Sequence, residues 1–323
     1  MRILSGIQPS GRPHLGNYYG AIRQYISLQS GNEPFYFIAS YHALTAVQEA
    51  SLLREYTVGV ALDFLALGLD PNQATLFAQQ DVPEVTELAW ILSCVTPMGM
   101  LERAVSYKDK IAQGLSPNHG LFAYPVLQAA DILIYLSELV PVGQDQKQHI
   151  EMTRDLAAKF NQQFGEVLVT PEPYILDTTA VVPGVDGRKM SKSYGNEIGI
   201  FDEGSVLKKK VMGIVTDSTP VEEPKNPDDS TPYLLLRLLA TPEETAEWSA
   251  RYKAGGMGYG DVKKRLLQLI DENFAPYRER RRELEKDPAY VMDVLTEGGK
   301  RARAVAQQVM HRVREVTGLP TTY

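Results

Sequence analysis

Short apolar runs alternate with stretches of helical spacing through the first half of the chain, which predicts a parallel sheet covered by helices. Arg2–Ser5 predicts a strand ended by Gly6, and Tyr18, Ile22, Tyr25 and Ile26 recur at helical spacing after Gly16. Pro34–Ala39 and Ala74–Ala78 predict two more strands, with helices at Glu49–Leu67 and Glu84–Cys94 and a long one at Gln144–Phe160 that ends before Gly165. Beyond about residue 185 the strands stop. Leu234–Leu239, Glu243–Tyr252 and Val262–Asn273 then read as helices, and the proline- and acid-rich Pro220–Pro232 reads as an exposed connector. The expected fold is α/β: a Rossmann-like doubly wound parallel sheet over 1–190 and a smaller all-helical domain over 191–323, whose last helix has room to pack back on the first.

Composition narrows this little. The chain has 323 residues, 44% of them hydrophobic and 23% charged, which excludes disordered and fibrous classes and leaves length for two domains. A lone cysteine, Cys94, excludes an internal disulfide framework, a Cys-ligated zinc site and a four-cysteine iron–sulfur cluster. The N-terminus lacks a signal-peptide pattern and no apolar run reaches roughly 18 residues, so the expected location is cytoplasmic. Net charge is −7, yet residues 251–323 hold 15 Lys and Arg against 10 Asp and Glu. A basic segment on an acidic body fits contacts with a phosphate backbone, and a solvated helical face accounts for it equally.

Two loops carry candidate chemistry. Gly6-Ile7-Gln8-Pro9-Ser10-Gly11-Arg12-Pro13-His14-Leu15-Gly16-Asn17 joins the first strand to the first helix, where a doubly wound sheet binds ligands and where backbone N–H groups favour phosphate. His14 and Asn17, three apart at the mouth of the helix, can both face a nucleotide; a glycine-rich turn capped by Asn17 explains the loop equally well. The second loop, Gly184-Val185-Asp186-Gly187-Arg188-Lys189-Met190-Ser191-Lys192-Ser193-Tyr194-Gly195, sets Lys189 and Lys192 three apart, able to neutralise a departing pyrophosphate. The pair is far more specific than either loop.

His-Leu-Gly-Asn at 14–17 with Lys-Met-Ser-Lys-Ser at 189–193 resembles the paired signatures of class I aminoacyl-tRNA synthetases. Gly-Ile-Gln-Pro-Ser-Gly at 6–11, Ala-Ala-Asp-Ile-Leu at 129–133 and Val-Pro-Val-Gly-Gln-Asp-Gln-Lys-Gln-His at 140–149 narrow the resemblance to the tryptophanyl-tRNA synthetase family, over nearly the whole chain. It implies activation of L-tryptophan by ATP, with Mg²⁺ held through the nucleotide phosphates, then transfer to tRNA(Trp), on a homodimer. His14, Asn17, Lys189 and Lys192 are then the catalytic set. The implied ATP site comprises Gln8, Pro9, Ser10, Gly16, Asn17, Lys108, Lys110, Gly143, Gln144, Asp145, Val182 and Lys189, Met190, Ser191, Lys192 and Ser193. Lys108 and Lys110 are explained equally by a solvated helix face.

The implied tryptophan pocket holds Asp131, Gln128, Tyr124, His42, Leu4, Gly6, Val140, Val142 and Gln146. Asp131 falls in the mostly apolar Tyr124–Leu136, where a carboxylate needs a partner. Indole offers one N–H and no acceptor, so an acceptor-only carboxylate suits it; pairing with a protein donor is the other reading. Lys263 and Lys264, within Gly255–Lys264, are the candidate tRNA contacts. The chain departs from its relatives in carrying Gln128 where many have Met and His14 where some have Thr, whereas Asn17 in place of a second His is usual for the family; the lone cysteine leaves out the iron–sulfur cluster some relatives carry. Rival readings are a tyrosyl-tRNA synthetase, a small nucleotidylyltransferase and a nonenzymatic tryptophan- or RNA-binding paralogue.

Overall fold

The computed structural model describes residues 1–105, 107–108, 118–175 and 182–320. Five parallel strands, β1 (Arg2–Ile7), β2 (Glu33–Ile38), β3 (Thr75–Ala78), β4 (Leu139–Pro141) and β5 (Glu172–Tyr174), form one sheet in the order β3-β2-β1-β4-β5. The order reverses between β1 and β4, which register through Ile3 and Leu139. That is the point at which a doubly wound sheet opens a crevice beyond its carboxyl ends. β1 runs two residues past the expected end because Gly6 and Ile7 keep pairing with Phe37 and Ile38. The edge strand β5 was not legible in the sequence: it has three residues, and Pro173, which cannot donate to a ladder, is tolerated only at an edge.

The helices confirm the helical spacing and shift its limits. Gln144–Gln146 forms a tight 3₁₀ turn, and the α-helix starts at Lys147 and ends at Phe164, with Gly165 beyond it at φ 119°. Val262–Asn273 lies within a longer helix, Tyr259–Glu285, and a 30-residue helix, Pro288–Thr317, follows. Among the described residues no helix is long and apolar enough to cross a membrane.

Two compact units emerge, and their limits differ from a cut near residue 190. The first comprises Met1–Gly11, Tyr25–Asp177 and Asp287–Tyr323; the second comprises Arg12–Gln24 and Thr178–Lys286. The first holds the sheet and a core that includes Leu4, Phe35, Phe77, Leu88, Ile132, Leu156 and Val309. Its last helix lies against β3 so closely that a Cβ on Gly298 would sit 1.8 Å from the Leu76 carbonyl oxygen. Arg303 pairs with Glu84 and Arg314 with Glu87 in the same unit, so part of the C-terminal positive charge serves packing. Gly298→Ala must lift the helix off backbone, and we expect a loss of about 1–3 kcal/mol. A thermal melt checks this; an unshifted midpoint would contradict the packing.

The second unit is built by long-range pairing. His14 bridges Gly199, the Leu15 N–H donates to the Ile198 carbonyl at 3.0 Å and the Ile200 N–H to that of Pro13 at 3.2 Å. These bonds tie 12–24 to the chain after residue 178, which is why that segment leaves the unit that precedes it in sequence.

Candidate functional site

In the first unit a cavity of about 650 Å³ opens at the β1/β4 crevice. All nine residues expected around an amino acid line it: Leu4 and Gly6 from β1, His42, Tyr124, Gln128 and Asp131 from helices, and Val140, Val142 and Gln146 around the end of β4. Helix His119–Leu133 supplies Tyr124, Gln128 and Asp131 because positions spaced by four and three share a face. Gly6 is required by shape, since a Cβ there would fall 2.5 Å from the Phe37 ring. Gln8 and Gly143, expected at the nucleotide, also line this cavity.

Asp131 is 1% exposed, and burial raises its pKa, opposed by hydrogen bonds and charge from His42 and a hydrogen bond from Gln79. His42 Nε2 stands 2.8 Å from Oδ2, and Gln79 Nε2 donates to Oδ1 at 2.9 Å and Oδ2 at 2.8 Å. Asp131 is thus paired with protein donors, and it also lines the cavity. A carboxylate has about four lone-pair sites, so these three bonds leave room for a further donor. Gln128 Nε2 lies 3.5 Å from Gln146 Oε1, so the two amides face each other along the wall. Tyr124 Oη and His149 Nε2 are 2.8 Å apart, which holds the tyrosine.

The second unit brings both signature loops together. His14 is the N-cap of Leu15–Asn17: its Nδ1 accepts the Asn17 N–H at 3.3 Å, while Asn17 Oδ1 accepts the His14 N–H at 3.2 Å. This places the ring proton on Nε2, which makes that atom the donor of the neutral ring. Burial, then the charges of Lys192 and Lys210, lower the His14 pKa from 6.5 to about 4 against an opposing pull from Glu197. The folded ring stays neutral down to about pH 4 while an unfolded histidine gains its proton near 6.5. Its contribution to stability is therefore complete above pH 6.5 and drains as pH falls from there toward 4. An NMR titration of the His14 ring should give a midpoint near 4, and one near 6.5 would overturn this environment. A Cβ on Gly16 would come within 2.9 Å of His14 Nδ1 and 3.4 Å of Met190 Cβ, so glycine permits the contact between the loops.

The lysine loop is a hairpin fastened by hydrogen bonds at its exit. Pro183 bridges Lys189, the Met190 N–H donates to the Val182 carbonyl at 2.9 Å, and Gly187 turns at φ 81°. Val182 and Met190 are buried, whereas Lys189, Lys192 and Ser193 are exposed. Buried Asn196 fastens the loop: its Oδ1 accepts the Ser191 N–H at 2.8 Å, and its Nδ2 donates to Asp186 Oδ1 at 2.7 Å and the Lys189 carbonyl at 3.2 Å. Neither Asn196 nor Gln79 carries a sequence signal, because each acts through a partner that only the fold brings near.

Other expected residues fare differently. Lys263 is a correction: 8% exposed, it donates to the Met212 carbonyl at 3.1 Å and that of Ile214 at 2.6 Å, closing the end of helix Gly204–Met212. Burial lowers its pKa, and its ammonium is turned inward rather than toward a phosphate. Lys264 is exposed, 3.9 Å from Asp261. Lys108 is exposed in the first unit; Lys110 lies outside the described residues, as does the side chain of Asp145. Pro9 is buried and Ser10 exposed. Among the described residues no cluster of three or more His, Cys, Asp or Glu could hold a metal ion.

The family described as tRNA synthetases class I (W and Y) matches residues 1–275. Tryptophan–tRNA ligase of Rhodopirellula baltica is 56% identical over 99% of this chain and its own full length. That of Fusobacterium nucleatum is 55% identical over 98% of each. The crystal structure of tryptophanyl-tRNA synthetase from Campylobacter jejuni complexed with ADP and tryptophan superposes with a TM-score of 0.93 at 47% identity, covering 99% of this chain and all of that one.

Proposed function

The chain belongs to the class I tRNA synthetases for tryptophan and tyrosine, and from that membership we infer that it activates L-tryptophan with ATP and passes it to the 3′ end of tRNA(Trp). The observation that carries tryptophan over tyrosine is end-to-end identity of 56% to a tryptophan–tRNA ligase. The cavity is compatible with it: an acceptor-only carboxylate suits the single N–H of indole.

In the first step a tryptophan carboxylate oxygen attacks the α-phosphorus of ATP. The acyl–phosphate bond forms as the α–β bridge breaks, and the electron pair leaves with pyrophosphate. No side chain need be a nucleophile, so catalysis reduces to positioning and to stabilising phosphate charge. In the first unit Asp131, Gln128, Tyr124, His42, Leu4, Gly6, Val140, Val142 and Gln146 surround the amino acid. Gln8, Pro9, Ser10, Lys108, Lys110, Gly143, Gln144 and Asp145 of that unit are assigned to ATP. In the second unit the His14 Nε2–H, Asn17, Lys189 and Lys192 meet phosphate oxygens, while Gly16, Val182, Met190, Ser191 and Ser193 shape the loops that carry them. Mg²⁺ comes with the nucleotide, as part of the substrate. In the second step the terminal adenosine hydroxyl attacks the acyl carbonyl and releases AMP.

Lys264 remains as the lysine assigned to tRNA phosphates. A homodimer and a cytoplasmic location complete the reading, both on family resemblance. Tryptophan-dependent ATP–pyrophosphate exchange followed by charging of tRNA(Trp), with tyrosine as control, tests it. Exchange with tyrosine but not tryptophan would overturn the amino acid, and no exchange with either would overturn the activity.

A further inference from the structure

Gln79 opens the tight turn Gln79–Asp81 after β3 and is 1% exposed. Its Oε1 accepts the Tyr41 backbone N–H at 2.8 Å, which settles the orientation of the amide. Nε2 must then face the other way, and there it donates to both oxygens of Asp131. A carboxylate bound through both oxygens by one anchored amide cannot rotate without breaking a bond.

We propose that Gln79 is a positioning residue for amino-acid selection: it fixes the Asp131 carboxylate and keeps it an acceptor, so that the cavity demands an N–H from the ring it takes. This rests on the reading of Asp131 as the indole acceptor and adds the residue that maintains it. The reason is chemical. Burial favours the neutral acid, and a neutral carboxyl presents an O–H where an acceptor is needed; donation from Gln79 and His42 favours the ion. Among the described residues, no other group that shifts the Asp131 pKa brings a positive charge. The Tyr41 and Tyr135 hydroxyls have raised pKa values, mainly through burial, with the Asp131 charge contributing to both, Asp81 to Tyr41 and Glu84 to Tyr135. Without Gln79 the ion depends on His42, which touches only Oδ2.

The test compares pyrophosphate exchange with tryptophan and with β-(benzothiophen-3-yl)alanine, in which sulfur replaces the ring N–H within a bicycle of similar shape. The parent should favour tryptophan by at least about tenfold in kcat/KM, as a site with a buried acceptor does. Gln79→Met should cut that ratio about tenfold through the tryptophan KM, with the tryptophan kcat within about threefold of the parent. Gln79→Ala, which cannot clash, serves if the Met variant folds poorly. Both amino acids are measured on one preparation, so the active fraction cancels in the ratio. A parental ratio with both KM values raised alike would make Gln79 merely structural and overturn the proposal. A parent that does not discriminate would instead strike the Asp131 reading.

Discussion

Lys189→Ala and Lys192→Ala each slow tryptophan-dependent pyrophosphate exchange by about 10²–10³-fold, roughly 3–4 kcal/mol, and leave the tryptophan KM near its parental value. The split follows from where charge develops. In the ground state the triphosphate is already solvated, and the lysines gain most as the leaving pyrophosphate takes up the electron pair. Their backbone is prepared for this: Met190 is buried beside Gly16, and Asn196 holds both the Ser191 N–H and the Lys189 carbonyl. With these backbone bonds in place, what has to be ordered as charge appears is mainly the two exposed lysine side chains. Pyrophosphate exchange across a tryptophan concentration series, with ATP saturating, is the measurement and reads kcat and KM together. Parental rates in both variants would remove the loop from the chemistry.

Part of the cavity lining was legible in local pattern, while Leu4, Gly6, His42 and Tyr124 were expected there only through the family resemblance. Val140 and Val142 at β4 sit at the carboxyl end of a strand that an apolar run announces. Gln128 and Asp131 share a face at helical spacing. What sequence could not reach is set by contacts between distant positions. Gln79 meets Asp131 from 52 residues away, and nothing in Ala78-Gln79-Gln80-Asp81 marks it as more than a turn. The grouping of 12–24 with the second unit depends on His14 pairing with Gly199. Lys263 failed for a different reason: charge was taken for exposure, but a lysine stem can run through a core while its ammonium satisfies the open carbonyls at a helix end. Arg303 and Arg314 repeat the lesson, since their charge is matched by Glu84 and Glu87.

Asp131→Asn weakens tryptophan use by about 1.5–3 kcal/mol, or roughly 10–150-fold in KM, with ATP saturating. The substitution keeps the volume, so the loss reports hydrogen bonding. Oδ2 now receives both His42 and Gln79, while Oδ1 receives Gln79 alone. If the asparagine oxygen takes the Oδ2 position, its NH₂ replaces Oδ1, faces the Gln79 amide donor and offers the ligand protons instead of lone pairs. If it flips, Gln79 points a donor at the NH₂, and His42 has to change tautomer to accept from it. Either orientation loses an acceptor. The loss should fall on tryptophan far more than on the sulfur analogue, which brings no N–H to the site, so the preference between them narrows. A melting temperature near the parental value would show that the fold tolerates the amide. Should Asp131→Asn activate tryptophan as well as the parent, the ring N–H is met by another group, and the amides of Gln128 and Gln146, which line the same cavity, become a place to seek it.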